Sequence, residues 1–244
     1  MAFGGDTMTD WRRRWKRTAG TALLLAVGLT AGARSAAAGT MGITTETDLK
    51  NNGHLDWGVL GPSFASVSNA FTTPVPGIGG LNVTGSQAGG DFVRIDQGSS
   101  DWNGNFGAGE SLLWSFFGGP MTFTFSSAIT GFGTQIEADD LGAFTARIEA
   151  FDAANLSLGV FTRAGTATAN GDDSAMFLGI LSDVRDIRSI RLSLTSSGGG
   201  PGDISDFAIN SPIIQDTPVP EPTSMLLLGT GIATVVGRRY RKRA

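Results

Sequence analysis

Hydrophobic and polar positions alternate along the middle of this chain. Met121, Phe123 and Phe125 are separated by Thr122 and Thr124, which puts the three apolar side chains on one face of a strand. Phe144, Ala146, Ile148 and Ala150 face one way in the next clear alternation, with Thr145, Arg147, Glu149 and Phe151 opposite. Ile190, Leu192 and Leu194 repeat the pattern against Arg191, Ser193 and Thr195. Shorter β-rich runs fill the intervals. Strands are predicted over 92–96, 111–117, 121–125, 132–138, 144–151, 156–162, 175–180, 187–195 and 204–209. Gly, Asp and Asn punctuate them, as in Asp152-Ala153-Ala154-Asn155 and Asn170-Gly171-Asp172-Asp173. Short strands at this spacing predict an all-β, jelly-roll-like β-sandwich over 39–210. No long window has a helical period; short helices are expected only at 65–71 and 182–186.

Two apolar blocks break the pattern, one at each end. At the front, Trp11-Arg12-Arg13-Arg14-Trp15-Lys16-Arg17 precedes a small apolar stretch over 18–32. Ala36 and Ala38 then stand where a signal peptidase reads, before Gly39. Residues 1–38 are therefore expected to be a secretory signal peptide, starting at Met1 or Met8 and handled by the secretion translocon and signal peptidase. At the back, Pro220-Glu221-Pro222 precedes an apolar run over 223–237 containing Met225, Leu226, Leu227, Leu228, Ile232, Val235 and Val236. Arg238, Arg239, Arg241, Lys242 and Arg243 follow it. As a helix, the run would reach about 22 Å, short of the ~30 Å bilayer core unless the basic residues snorkel. Those charges are expected to stay in the cytoplasm, leaving the body outside the inner membrane. Pro218, Pro220 and Pro222 keep the approach extended, and a stalk is expected over 211–219.

Triplet, short span and basic end, in that order, resemble the PEP-CTERM sorting signal of bacterial surface and secreted proteins. The resemblance implies a transient anchor, cut near Pro220-Glu221-Pro222 by an exosortase-like membrane protease. It also implies a Gram-negative, exopolysaccharide-producing host. A permanent single-span anchor is the alternative from the residues alone. The body resembles a recurring ectodomain type of such proteins. The matching stretches include Leu55-Asp56-Trp57-Gly58-Val59-Leu60-Gly61-Pro62, Trp102-Asn103-Gly104-Asn105-Phe106 and Asp206-Phe207-Ala208-Ile209-Asn210. That likeness implies a jelly roll like those of carbohydrate-binding modules.

Setting the two signals aside changes the charge. Residues 39–219 hold seven basic and 19 acidic residues, a formal charge of −12 against −4 for the whole chain. Such a surface repels nucleic acid. The chain has no Cys and a single His, His54, which excludes thiolate metal sites, Cys nucleophiles and multi-His zinc sites. His54 has no Gly-x-Ser-x-Gly elbow to serve. The pairs Asp139-Asp140 and Asp172-Asp173, and the series Asp91, Asp96 and Asp101, lie in turn-forming surroundings where Asp bonds its own backbone.

No catalytic residue and no required cofactor is expected. The chain reads as a non-enzymatic exported protein of the envelope or extracellular matrix. The alternative is a lectin-like module for exopolysaccharide, with Trp102 in a polar Gly-rich loop as the stacking residue. Structural calcium would fall to Glu137, Asp139, Asp140, Asp203 and Asp206. A glycan-active enzyme, using two carboxylates, is the remote alternative.

Overall fold

The computed structural model describes residues 39–50, 53–98, 100–196, 203–204 and 206–217. The expected signal peptide, processing motif, membrane anchor and basic end lie outside these residues. Sixteen strands are present among the described residues: β1 Thr40–Ile43, β2 Gly53–His54, β3 Ala65–Val67, β4 Phe71–Pro74, β5 Asn82–Gln87, β6 Phe92–Asp96, β7 Ser111–Trp114, β8 Met121–Ile129, β9 Gly131–Ala138, β10 Gly142–Phe151, β11 Ser157–Ala167, β12 Met176–Ser182, β13 Ile187–Ser196, β14 Asp203–Ile204, β15 Phe207–Ile209 and β16 Ile213–Gln215. Two 3-10 turns, Glu46–Asp48 and Trp57–Leu60, are the helical elements among them.

The strands form two antiparallel sheets. The first runs β1-β12-β9-β15-β7-β6-β3, and β16 joins it between β9 and β2. The second runs β11-β10-β13-β8-β5-β4, with β14 paired to β13. The alternation read in the sequence sets the inner face of the second sheet. Met121, Phe123, Phe125, Phe144, Ala146, Ile148, Ala150, Ile190, Leu192 and Leu194 are all buried. They pack on Phe132, Ile136, Leu178, Ile180, Phe207 and Ile209 of the first sheet. Phe123 stacks on Phe132 at 5.8 Å and on Trp57 at 5.9 Å.

Arg163 of β11 holds the two sheets together along one side. Its Nη1 donates to Thr44 O (2.8 Å) and to Phe177 O (2.6 Å). Beyond the sheets, the 97–110 loop folds back over the outer face of the first sheet. It buries Trp102 and Phe106 against Ile95, Leu112 and Ala208, making a second, smaller core.

Four local expectations change. Residues 65–71 form strands, not a helix: Ala65–Val67 pairs with β6, and buried Val67 is β-branched. Residues 183–186 make a bend between β12 and β13. The run expected over 204–209 splits, because β14 stays in the second sheet and β15 crosses to the first. The expected stalk over 211–219 is sheet through Gln215, since Ile213 and Ile214 are apolar and pair with both β9 and β2.

β15 and β16 lie end to end along β9, interrupted at Asn210 to Pro212. Asn210 fills the interruption. Its Oδ1 accepts from Gln135 N (2.8 Å) and Thr134 Oγ1 (3.0 Å), and its Nδ2 donates to Gln135 Oε1 (2.6 Å). Its carbonyl also accepts from Trp57 Nε1 at 2.9 Å.

Candidate functional site

Trp102 is buried, with 3% of its surface exposed, and so cannot stack on a sugar. Its loop is polar and Gly-rich, yet it seals the second core instead of standing in solvent. Trp102 Nε1 faces Glu137 Oε2 at 3.5 Å. The same carboxylate accepts from Asn105 N (2.7 Å) and, through Oε1, from Thr168 N (3.2 Å). Gly104 is required beside it, because a Cβ there would collide with Glu137 Oε2 and Trp102 Nε1. Burial raises the Glu137 carboxyl above its usual range, and the three N–H donors oppose that rise. A carboxylate surrounded by N–H dipoles, with 1% exposure, is a structural acceptor and not a calcium ligand.

Asp139 and Asp140 lie in the loop between β9 and β10, as their pairing requires. Asp139 N donates to Asp206 O at 3.2 Å, which brings Asp206 beside them. Nothing is described of the Asp203 side chain. Among the described residues no three His, Asp or Glu side chains come together to hold a metal ion. Other acidic candidates serve turns and loop contacts: Asp101 accepts from Ser63 Oγ (2.8 Å), Asp91 from Asn69 N (3.0 Å), and Asp172 from Ser174.

Asp206 belongs to an aromatic edge that has no signature in the alternation of apolar and polar positions. A row of rings leads from the buried interior to the surface. Trp102 and Trp114 meet edge to face at 5.7 Å and Trp114 and Phe116 at 4.8 Å, while Phe116 and Phe117 are tilted at 5.5 Å. Trp114 Nε1 donates to Asp206 Oδ1, and the Phe117 N–H donates to the same carboxylate. Phe116 and Phe117 are 49% and 67% exposed, at φ 44° and 66°. These left-handed angles turn both rings out of the apolar run expected to continue β7 to Phe117. Partial burial raises the Asp206 carboxyl, and Asp139 and Asp140 add to the rise by repulsion. Asp139 is raised by the water it loses and by Asp140.

A separate cleft of about 620 Å³ opens elsewhere and is lined by His54, Glu110, Gln135, Phe177 and Asn210 among others. Burial raises the Glu110 carboxyl, partly offset by the Gly107 N–H. His54 is an exposed strand residue at this cleft, paired across β2 and β16 with Ile213.

With the sandwich in view, the C-terminal segment can be compared with known families. Residues 218–242 match the PEP-CTERM protein-sorting motif. The PEP-CTERM motif implies an exported chain, recognised by an exosortase and held by a C-terminal membrane anchor before processing. Among the described residues no helix is long and apolar enough to cross a membrane. No curated protein matches the chain in sequence. Four solved chains align with it, among them a DUF4465 family protein from Bacteroides caccae, at 11% identity and a TM-score of 0.41, covering 72% of this chain and 100% of that one, and CsCBM6-3 from Clostridium stercorarium in complex with cellobiose, at 11% identity and a TM-score of 0.21, covering 72% and 94%.

Proposed function

We propose that the chain is the precursor of a non-enzymatic, exported β-sandwich protein of the cell envelope or extracellular matrix. Residues 223–237 hold it briefly in the inner membrane, with the basic 238–243 end in the cytoplasm. An exosortase-like protease then cuts near Pro220-Glu221-Pro222. The single observation that carries this reading is the PEP-CTERM match at 218–242.

The end of the sandwich supports it. Gln215 is buried, Asp216 pairs with Arg185 at 2.7 Å, and Thr217 O accepts from Thr130 Oγ1 (2.9 Å) and Gln215 Nε2 (3.0 Å). These contacts fasten the chain to the sandwich through Thr217. The five residues between Thr217 and the apolar run span at most about 18 Å. In the precursor, this end of the sandwich sits close to the membrane. Replacing Pro220, Glu221 and Pro222 by Ala and following the chain by pulse–chase in its host tests the reading. Full-length protein should accumulate in the membrane fraction; processing at the normal rate refutes the assignment.

A second reading, binding of matrix polysaccharide, is favoured by the exposed Phe116–Phe117 pair in place of Trp102. Two adjacent exposed rings form a contiguous apolar surface, the kind of feature that interaction sites use.

A further inference from the structure

We propose that Trp114, Phe116 and Phe117, with Asp139, Asp140 and Asp206 beside them, form a binding edge for polysaccharide whose sugars carry free amino groups. The proposal rests on the polysaccharide reading above and adds the charge of the ligand.

The rings come first. Two consecutive Phe residues in the left-handed region are costly for bulky side chains, and here both point to solvent. They are also fixed in advance. Trp114 is wedged edge-on between buried Trp102 and Phe116, and Asp206 fastens both the Trp114 indole and the Phe117 backbone. A ligand meeting rings already held in place loses less conformational freedom on binding.

The charge around the rings selects the ligand. Asp139 N donates to Asp206 O at 3.2 Å and Asp140 follows in the same loop, so three acidic residues gather at this edge. Among the described residues, arginine pairs with carboxylates at Arg94–Asp96, Arg147–Glu149 and Arg185–Asp216, away from this edge. An ammonium group is attracted both by these carboxylates and by the faces of the rings. A sugar with a free amine presents an apolar ring face and an ammonium a few ångströms apart, matching Phe beside Asp. A uronate or sulfated polymer would meet repulsion at the edge and from a body of formal charge −12.

The test uses the protein purified from its host and calorimetric titration with four oligosaccharides of equal length: a glucosamine oligomer, its N-acetylated form, a neutral β-glucan and an oligo-uronate. The glucosamine oligomer should bind, with the N-acetylated and neutral forms about tenfold weaker and the uronate not at all. Phe117→Ala should weaken the amine-bearing oligomer about tenfold with net charge unchanged. Asp140→Asn should weaken it as well. Unchanged binding in Phe117→Ala reduces the interaction to general attraction by an acidic body and overturns the site. Equal binding of neutral and amine-bearing oligomers overturns the ligand class while leaving the polysaccharide reading standing. No binding of any oligomer removes both. An oligolysine peptide that binds the same edge as tightly assigns it to a protein partner instead, which also overturns the proposal.

Discussion

The backbone N–H of Asn105 donates to Glu137 Oε2 over 2.7 Å, and this bond seats the 97–110 loop on the outer face of the first sheet. Thr168 N and Trp102 Nε1 share the same carboxylate, so one side chain holds two loops and the centre of the second core. Glu137→Ala would strand these donors in a dry site and should destabilise the protein by about 2–4 kcal/mol. Glu137→Gln keeps one accepting oxygen and should cost less. Urea denaturation of the two variants checks the order.

Trp102 and Phe117 should behave in opposite ways. Trp102→Ala empties a buried site and should lower stability by about 3–5 kcal/mol. Phe117→Ala removes an exposed ring and should stay within about 0.5 kcal/mol of the parent. The same denaturation measurement settles both. A stable Trp102→Ala protein would contradict its place in the second core.

Asn210 should matter far more than an Asn between two strands usually does. Its side chain replaces the ladder where β15 gives way to β16, serving Gln135 N, Thr134 Oγ1 and Gln135 Oε1. Asn210→Ala leaves those groups to find other partners and should cost about 2–3 kcal/mol. Faster amide exchange at Gln135 in that variant would locate the damage; unchanged exchange there would show that the amide bond is dispensable.

How far the sequence could be read depended on whether a strand keeps one wet face. β8, β10 and β13 do, so their alternation named the core residues correctly. β9 has Phe132 and Ile136 buried on one face and Glu137 buried on the other, under the 97–110 loop. Burial on both faces removes the alternation that would have shown Glu137 pointing into a second core. Trp102 was misplaced for the same reason: a Gly-rich polar loop looks solvated until the distant strand it covers is known. Ile213 and Ile214 carried a legible strand signal, but the neighbouring prolines made a stalk the natural reading. The outward turn of Phe116 and Phe117 rests on two left-handed backbone angles, which hydropathy does not record.

The stability contributed by the raised carboxyls should fall as the pH climbs from about 4 through their raised values. Burial is the largest cause raising Glu110, Glu137 and Asp206, and desolvation likewise raises Asp139; Asp172 is lowered, by the Ser174 hydroxyl. Raised carboxyls bind more protons in the folded than in the unfolded chain. Their contribution is full below the ordinary carboxylate values of ~4 and is lost as pH climbs through the raised ones. Lower pH also relieves repulsion within the acidic body. Melting curves should show a Tm that falls as the pH climbs from about 4 through the raised carboxyl values, and that falls less in Glu137→Gln. A Tm that climbs with pH across this range would contradict the raised carboxyls.

The sorting assignment itself is tested most directly by mass spectrometry of the C-terminus of the mature protein, isolated from its host's envelope and medium. A terminus near residues 219–223 is the expected result. An intact Arg241-Lys242-Arg243-Ala244 end on the mature protein would contradict it and leave a permanently anchored β-sandwich.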